Sequence, residues 1–476
     1  MRNLSLLTDL YEFSMANGFQ HDLPATQATF DVFYRRVPDA GSFVIAAGLQ
    51  QVIEALQNFH FSEADLAYFK TLDLWDPEFL NYLANFKLDC QIQAVAEGTP
   101  VFPREPLLTV TGPIAQTQLL ETLILNILNH QSLIATKARR LTFAASGRPI
   151  MEFGARRAQG PDSAIYGTRA AVIGGAKSTS NVLAAKAFNI PAAGTMAHSW
   201  IEAFPDELTA FRKWSERYPD NSALLVDTYD VLNSGVPNAI TVFQELRERG
   251  HQPVGIRIDS GDVTMLAQQA RKMLNAAGFP EAKITISNAL DETIITSLLQ
   301  QGAPIDNFGI GEKLITSASA PVLSGVYKLA AIEQNGHVEP KIKVSASREK
   351  LTIPGKKRVY RLYRPGTKQA FADLIALEHE TIVGESHLAV FNSDPLSVDR
   401  HHVLTAFDAQ LLLKPVTLTT TSYPSVQAIQ TTSQHQLAEL PRATQRLINP
   451  DVYPVYMTAA LSQLQTELLS QATPAD

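Results

Sequence analysis

Gly255-Ile256-Arg257-Ile258-Asp259-Ser260-Gly261-Asp262-Val263 starts as a short apolar strand, turns polar, and opens a helical pattern over residues 263–277. The same unit recurs on both sides. Residues 150–153, 223–226, 283–287 and 307–310 are strand-like, and residues 169–187, 238–249 and 291–301 have helical spacing. Strands and helices alternating at this pitch predict a parallel sheet with crossover helices. The stretch from 149 to 335 suits most of an irregular (β/α) barrel, although it is short for eight full units. The fold class expected is α/β, with the chemistry at the mouth where the strands end.

The strand exits are polar. Arg156 and Arg157 follow Phe153, and Thr195 and His198 follow Ala193. Asp227 and Thr228 follow Val226, Ser287 and Asn288 follow Ile286, and Gly309 and Gly311 flank Ile310. Helix capping accounts for Gly, Asp, Ser and Thr at such positions. It does not account for Arg156, Arg157, His198 or Arg257. Arginine forks match carboxylate or phosphate, and glycines let backbone N–H groups approach phosphate oxygens. Asp259 and Asp262 either hold Mg²⁺ or ribose hydroxyls, or cap the next helix with charge that suits its dipole.

Outside this stretch, residues 1 to about 113 mix strand-like pieces (28–34, 92–95, 107–110) with a helical one (48–56) and read as a small α+β domain. A long helix should follow Gly112-Pro113, because Leu119, Leu120, Leu123, Ile124, Ile127 and Leu128 recur at helical spacing. Lys137, Arg139 and Arg140 near its far end either match the helix dipole or form a basic edge facing phosphate. Residues 341–363 are basic, with a Pro354-Gly355 turn between strand-like runs. Residues 416–436 are rich in Thr, Ser and Gln and read as a surface connection. Residues 437–469 look helical, with a proline-containing break at 449–454. The expected division is an N-terminal α+β domain with a linking helix (1–133), a (β/α) barrel catalytic domain (134–335), and a C-terminal segment of strands then helices (336–476). That last segment is expected to complete the smaller domain.

Composition narrows the class. The 476 residues are 45% hydrophobic and 18% charged, an ordinary globular balance with ample core. A net charge of −7 gives no general nucleic-acid surface. The single cysteine, Cys90, excludes an internal disulfide and reads as a small buried hydrophobe. Asp9 and Glu12 argue against a signal peptide, and no apolar run reaches the roughly 18 residues of a membrane span. A soluble, cytoplasmic protein is expected.

The ordered motifs resemble the nicotinate phosphoribosyltransferase family, of the type II phosphoribosyltransferase fold, over most of the chain. They are Leu7-Thr8-Asp9-Leu10-Tyr11-Glu12, Phe33-Tyr34-Arg35-Arg36, Glu152-Phe153-Gly154-Ala155-Arg156-Arg157-Ala158-Gln159-Gly160 and Gly194-Thr195-Met196-Ala197-His198-Ser199. Further on come Arg257-Ile258-Asp259-Ser260-Gly261-Asp262, Gly325-Val326-Tyr327-Lys328-Leu329, residues 350–360, and Asn449-Pro450 through Tyr453-Pro454-Val455.

The resemblance implies conversion of nicotinate and 5-phosphoribosyl 1-diphosphate to nicotinate mononucleotide and pyrophosphate, in NAD biosynthesis. ATP as co-substrate and Mg²⁺ are implied with it. It places a transient phosphohistidine at His198 and nicotinate contacts at Tyr11, Thr195 and Arg257. Phe153 would stack on the pyridine ring, as in the related nicotinamide enzyme. There the N-terminal tyrosine comes from the partner subunit, which implies a homodimer with its active site at the interface. Phosphoribosyl and phosphate contacts are expected from Arg156, Asp259, Ser287, Asn288, Gly309, Gly311 and Glu312, and Mg²⁺ ligands from Asp259 and Asp262. The sequence departs from the family at Glu312, where a threonine is usual, and at Ala289, where an aspartate is frequent. A carboxylate beside phosphate is repulsive, so either Glu312 turns away and the backbone N–H groups bind, the preferred reading, or Lys313 compensates.

Three other readings are open to the same residues. A nicotinamide phosphoribosyltransferase carries an aspartate in the helix after the Phe153-type strand, and residues 173–186 contain no acid. A quinolinate phosphoribosyltransferase is shorter and uses no phosphohistidine. A non-catalytic ligand-binding barrel would not need His198, Arg257 and Asp259 together.

Overall fold

The computed structural model describes residues 2–345, 347–382 and 387–472. The chain forms two compact units, one of residues 1–133, 322–424 and 431–476, the other of residues 134–321 and 425–430. The second unit carries the parallel sheet. Its strands lie in the order Ser178–Thr179, Ile150–Glu152, Asn307–Ile310, Lys283–Asn288, Gly255–Ile258 and Ala223–Leu225. All its ladders are parallel, and the latest strand in sequence pairs with the earliest. Ile150, Leu224, Leu225, Ile256, Ile258, Ile284, Ile286, Phe308 and Ile310 are all buried. Such continuous apolar runs belong to a sheet covered on both faces.

The mixed α/β class is as expected, but among the described residues the sheet is not hydrogen-bonded into a closed ring. After Ser178–Thr179 the next segment contributes a single parallel bridge, Thr179 to Ala192. Pro191, which has no N–H to give a ladder, stands at its start. The seam between that segment and Ala223–Leu225 is crossed by a side-chain hydrogen bond between His198 and Thr228.

Two expectations fail for local reasons. Residues 169–187 are not one helix: Pro161–Ile173 ends at Gly174-Gly175, Ser178–Thr179 is a strand, and Val182–Phe188 is a second helix. Gly175 has φ +124°, and a Cβ on Gly174 would lie 2.2 Å from the Ala135 carbonyl oxygen. Only glycine admits that backbone conformation and that approach. The Gln-rich stretch read as a surface connection contains the helix Val426–Glu439. Its Gln430 amide donates to the carbonyls of Val172 and Ala176 (2.9 Å for the latter), so a buried polar side chain satisfies a helix end.

Lys137 and Arg140, read as either a dipole match or a basic edge, serve neither role. Lys137 is buried and lies 2.7 Å from Glu292, whose other oxygen accepts from Arg140 Nε at 3.1 Å. The helix Glu121–Ala144 continues past them with no basic residue in its last turn. Lys137 and Arg140 hold Glu292 rather than meeting the helix dipole.

The first unit contains two six-stranded sheets. The strand Gly325–Gln334, expected at the end of the catalytic segment, pairs antiparallel with Gln27–Tyr34 in this unit. Its core includes Phe13, Phe61, Phe69, Trp75, Phe79 and Phe86. Cys90 is buried there as expected, and burial pushes its thiol up to about 12. No helix among the described residues is long and apolar enough to cross a membrane.

The Gly174 approach yields a test. Gly174→Ala should lower unfolding free energy by about 1–3 kcal/mol, the usual cost of overpacking, in denaturant unfolding. A change below about 0.5 kcal/mol, typical of surface substitutions, contradicts the contact.

Candidate active site

The second unit brings Phe153, Thr195, His198, Arg257, Asp259 and Ser287 together from four strand exits. Arg257 is the hub. Its position is fixed by pairing with Thr285 on one side and Leu225 on the other. Nε donates to Ser287 Oγ at 2.6 Å, Nη1 to Thr195 Oγ1 at 3.1 Å and to the Met196 carbonyl at 3.3 Å, and Nη2 to Asp259 Oδ1 at 3.2 Å. The Ser287 hydroxyl passes the chain on, donating to Asp259 Oδ1 at 2.5 Å. Burial by itself would push the Asp259 carboxyl up. The Ser287 hydroxyl and the Arg257 guanidinium outweigh it and hold Asp259 below the usual carboxylate range.

Phe153 completes the wall beside Arg257. The guanidinium carbon lies 5.9 Å from its ring centroid. A Cβ on Gly309 would come within 2.6 Å of that ring, so a larger residue there would displace it. The cradle at Gly311 is equally tight, with Phe153 O only 3.0 Å from a built Cβ.

His198 is the first residue of the short helix His198–Glu202. Trp200 anchors that helix: its indole N–H donates to Ala210 O at 3.1 Å and its ring packs edge-on against Trp214. His198 Nδ1 lies 3.1 Å from Thr228 Oγ1. Nε2 faces two carboxylates, 4.0 Å from Asp227 Oδ1 and 4.0 Å from Asp259 Oδ2. The Asp227 side chain is 1% exposed. Its Oδ2 accepts from Asp259 N–H at 2.9 Å and Ser260 Oγ at 2.6 Å, while Oδ1 has no hydrogen-bond partner. Asp227 was visible in the sequence only as one more polar strand exit. A carboxylate after a strand reads as a helix cap, and its partners lie about thirty residues away in either direction.

The remaining expected residues fall in other places. Asp262 caps the helix Val263–Ala276, accepting from Met265 N–H at 3.1 Å, and Asp291 caps Glu292–Gln300. Arg156 is exposed, in the turn Ala155–Arg157. Asn288 is exposed, with φ +151° and its Oδ1 accepting from Ala289 N–H at 2.6 Å. Sparsely populated backbone of this kind persists where the surroundings enforce it. Glu312 is 56% exposed and lies 3.6 Å from Arg157, while Lys313 is engaged by Asp291 at 2.6 Å. Tyr11 lies in the first unit, on the helix Leu10–Asp22. Burial and the neighbouring Glu121 and Glu12 carboxylates push its phenol up, so it is neutral at physiological pH. No group of three or more metal-ligating side chains occurs among the described residues.

Three family descriptions match in order: the nicotinate phosphoribosyltransferase N-terminal domain over residues 6–129, the nicotinate phosphoribosyltransferase family over 149–353, and the C-terminal domain over 356–465. The chain belongs to the nicotinate phosphoribosyltransferase family. It is 41% identical over 457 residues to the nicotinate phosphoribosyltransferase of Bacillus subtilis, covering 95% of this chain and 92% of that one. It superposes on human nicotinic acid phosphoribosyltransferase with a TM-score of 0.84 at 29% identity, covering 97% of this chain and 99% of the other. A nicotinate-nucleotide pyrophosphorylase from Pyrococcus furiosus shares the fold, with a TM-score of 0.69 at 22% identity and coverage of 91% and 95%.

The Asp259 environment gives a pH test. Its carboxyl should titrate below the roughly 3.9 of a free aspartate. With the folded value depressed, its contribution to stability is present above the free value and is lost as pH falls through the folded value. Ser287→Ala removes the leading favourable cause, so NMR titration should place Asp259 higher in that variant. An unchanged or lower value contradicts the assigned cause.

Proposed function

We propose that this protein transfers the phosphoribosyl group of 5-phosphoribosyl 1-diphosphate to nicotinate, with ATP hydrolysis coupled through a phosphohistidine at His198. The products are nicotinate mononucleotide and pyrophosphate, in NAD biosynthesis. One observation carries the reading: a guanidinium fixed by Thr195, Ser287 and Asp259 beside an aromatic ring. Nicotinate is a flat ring with a carboxylate. Phe153 covers the ring, Arg257 meets the carboxylate, and Thr195 holds the edge between them. In a homodimer the partner subunit's Tyr11 would close the other face of the ring, as the resemblance implies.

In the transfer, the pyridine nitrogen lone pair bonds to ribose C1 as the C1–O bond to the diphosphate breaks. Pyrophosphate leaves with that electron pair. Arg156, Asn288 and the backbone at Gly309, Gly311 and Glu312 would take the phosphoribosyl end, with Arg157, 3.6 Å from Glu312, offsetting its charge. Mg²⁺ fits the residues present. Asp259 Oδ2 and Asp227 Oδ1 accept no hydrogen bond and face the same imidazole nitrogen, and Mg²⁺ shared with substrate phosphates takes one or two protein carboxylates. Bound there, the ion would offset charge on the phosphates. Asp262, occupied as a helix cap, is the weaker candidate ligand.

For the coupled step, a neutral His198 nitrogen attacks the γ-phosphorus of ATP. The bond to the bridging oxygen breaks, ADP leaves with its electron pair, and water later releases the phosphoryl group as inorganic phosphate. When no ion occupies them, the carboxylates of Asp227 and Asp259 beside Nε2 would orient the ring and favour the positive charge that phosphorylation leaves on it.

Incubation with γ-labelled ATP should leave an acid-labile, base-stable phosphate on the chain, lost in His198→Ala. No label on the wild type, or label persisting in the variant, rejects the phosphohistidine.

A further inference from the structure

The strand Ile150–Glu152 ends in a carboxylate with no role above. Glu152 is fully buried, and its oxygens accept from three neutral donors. Oε1 takes the Gly154 N–H; Oε2 takes the hydroxyls of Thr168 at 2.8 Å and Thr179 at 2.7 Å. Removing a carboxylate from water is costly unless its lone pairs are met. What makes this one informative is where the donors lead.

Gly154 directly follows Phe153, so Oε1 closes a turn around that residue. Phe153's own N–H is held by Ile310 O at 2.8 Å. Thr179 leads the other way. It pairs with Glu152 across the parallel ladder, donates its N–H to Pro191 O at 3.1 Å and accepts the Ala193 N–H at 2.9 Å. Thr195 lies two residues beyond Ala193 and accepts from Arg257 Nη1. One buried carboxylate therefore joins the exit bearing Phe153 to the segment bearing Thr195.

We propose that Glu152 is a positioning residue for the pyridine substrate, setting the spacing between Phe153 and Thr195 through Gly154 and Thr179. The proposal rests on the reading that Phe153 covers the ring. The chemistry of the Thr179 link shows how to break it. The Thr179 hydroxyl already accepts from Asn181 N–H at 2.9 Å, so its one proton goes to Glu152. In Glu152→Gln the amide oxygen keeps the Gly154 N–H and the amide N–H₂ faces the threonines. Thr168 can turn its proton to Ala164 O, 2.8 Å away, and accept. Thr179 Oγ1 can accept from the amide as well as from the Asn181 N–H, but its own proton is left without an acceptor. The variant keeps the Gly154 tie and weakens the Thr179 one.

Steady-state kinetics on the full-length protein test this, with nicotinate and 5-phosphoribosyl 1-diphosphate varied separately. Glu152→Gln and Thr179→Val should each raise the nicotinate KM about tenfold, the scale of one lost buried hydrogen bond. The diphosphate KM should stay within about twofold, and the double variant should do no worse than either single one, because both break the same link. Phe153→Leu is measured beside them. If it raises the nicotinate KM while the other two do not, the positioning role falls and the ring reading stands. If Phe153→Leu itself changes nothing, the ring reading falls, and the proposal with it. Equal rises in both KM values assign Glu152 to general stability and overturn the proposal. Should Glu152→Gln fail to fold, Thr179→Val, which removes a single hydroxyl, decides the question.

Discussion

A guanidinium with little exposure is stable only where its donors are met, and here two neighbouring segments and the exit of its own strand meet most of those of Arg257. Side chains from Ser287, Thr195 and Asp259, with the Met196 carbonyl, take four of its five N–H groups and leave one on Nη2 for a ligand. The fork is thereby oriented before a ligand arrives, which lowers the ordering cost of binding. The same contacts hold Asp259 ionised and leave one of its oxygens pointing at His198. The binding and phosphorylation functions proposed for this mouth thus share one electrostatic frame.

That frame depends on the irregular seam of the sheet. Between Pro191 and Ala223–Leu225 the backbone ladder gives way to side-chain contacts, and His198 supplies them, through Thr228 and opposite Asp227. A regular strand there would pair its backbone along the edge. The irregular segment instead presents Thr195 to Arg257 and starts a helix at His198. Asp227 staples the neighbouring exit with one oxygen and leaves the other beside the imidazole.

Much of this was legible in the sequence because strands and helices of ordinary length imprint their period on it. The strand Gly255–Ile258 and the polar exit to Asp262 were readable directly, and the neighbouring strands lie within one or two residues of their expected bounds. What was not legible lacks a period or acts over distance. Ser178–Thr179 is too short to alternate, and Gly174-Gly175 broke a helical pattern whose apolar spacing carried on across it. The helix Val426–Glu439 contains too few apolar residues to show a face; the Gln430 amide, bonded to carbonyls more than 250 residues away, helps fix it. Lys137 and Arg140 find Glu292 more than 150 residues on. Asp262 looked like Asp259 in sequence, yet one caps a helix and the other meets an arginine. Only the strand register separates them.

The most direct test is the Arg257→Lys variant, which keeps the charge but not the fork. With nicotinate and nicotinamide compared side by side, kcat/KM for nicotinate should fall about 100-fold, the scale of charge-assisted hydrogen bonds. The preference over nicotinamide should shrink with it, and the KM for 5-phosphoribosyl 1-diphosphate should change little. Retained nicotinate preference with an unchanged nicotinate KM would contradict the account.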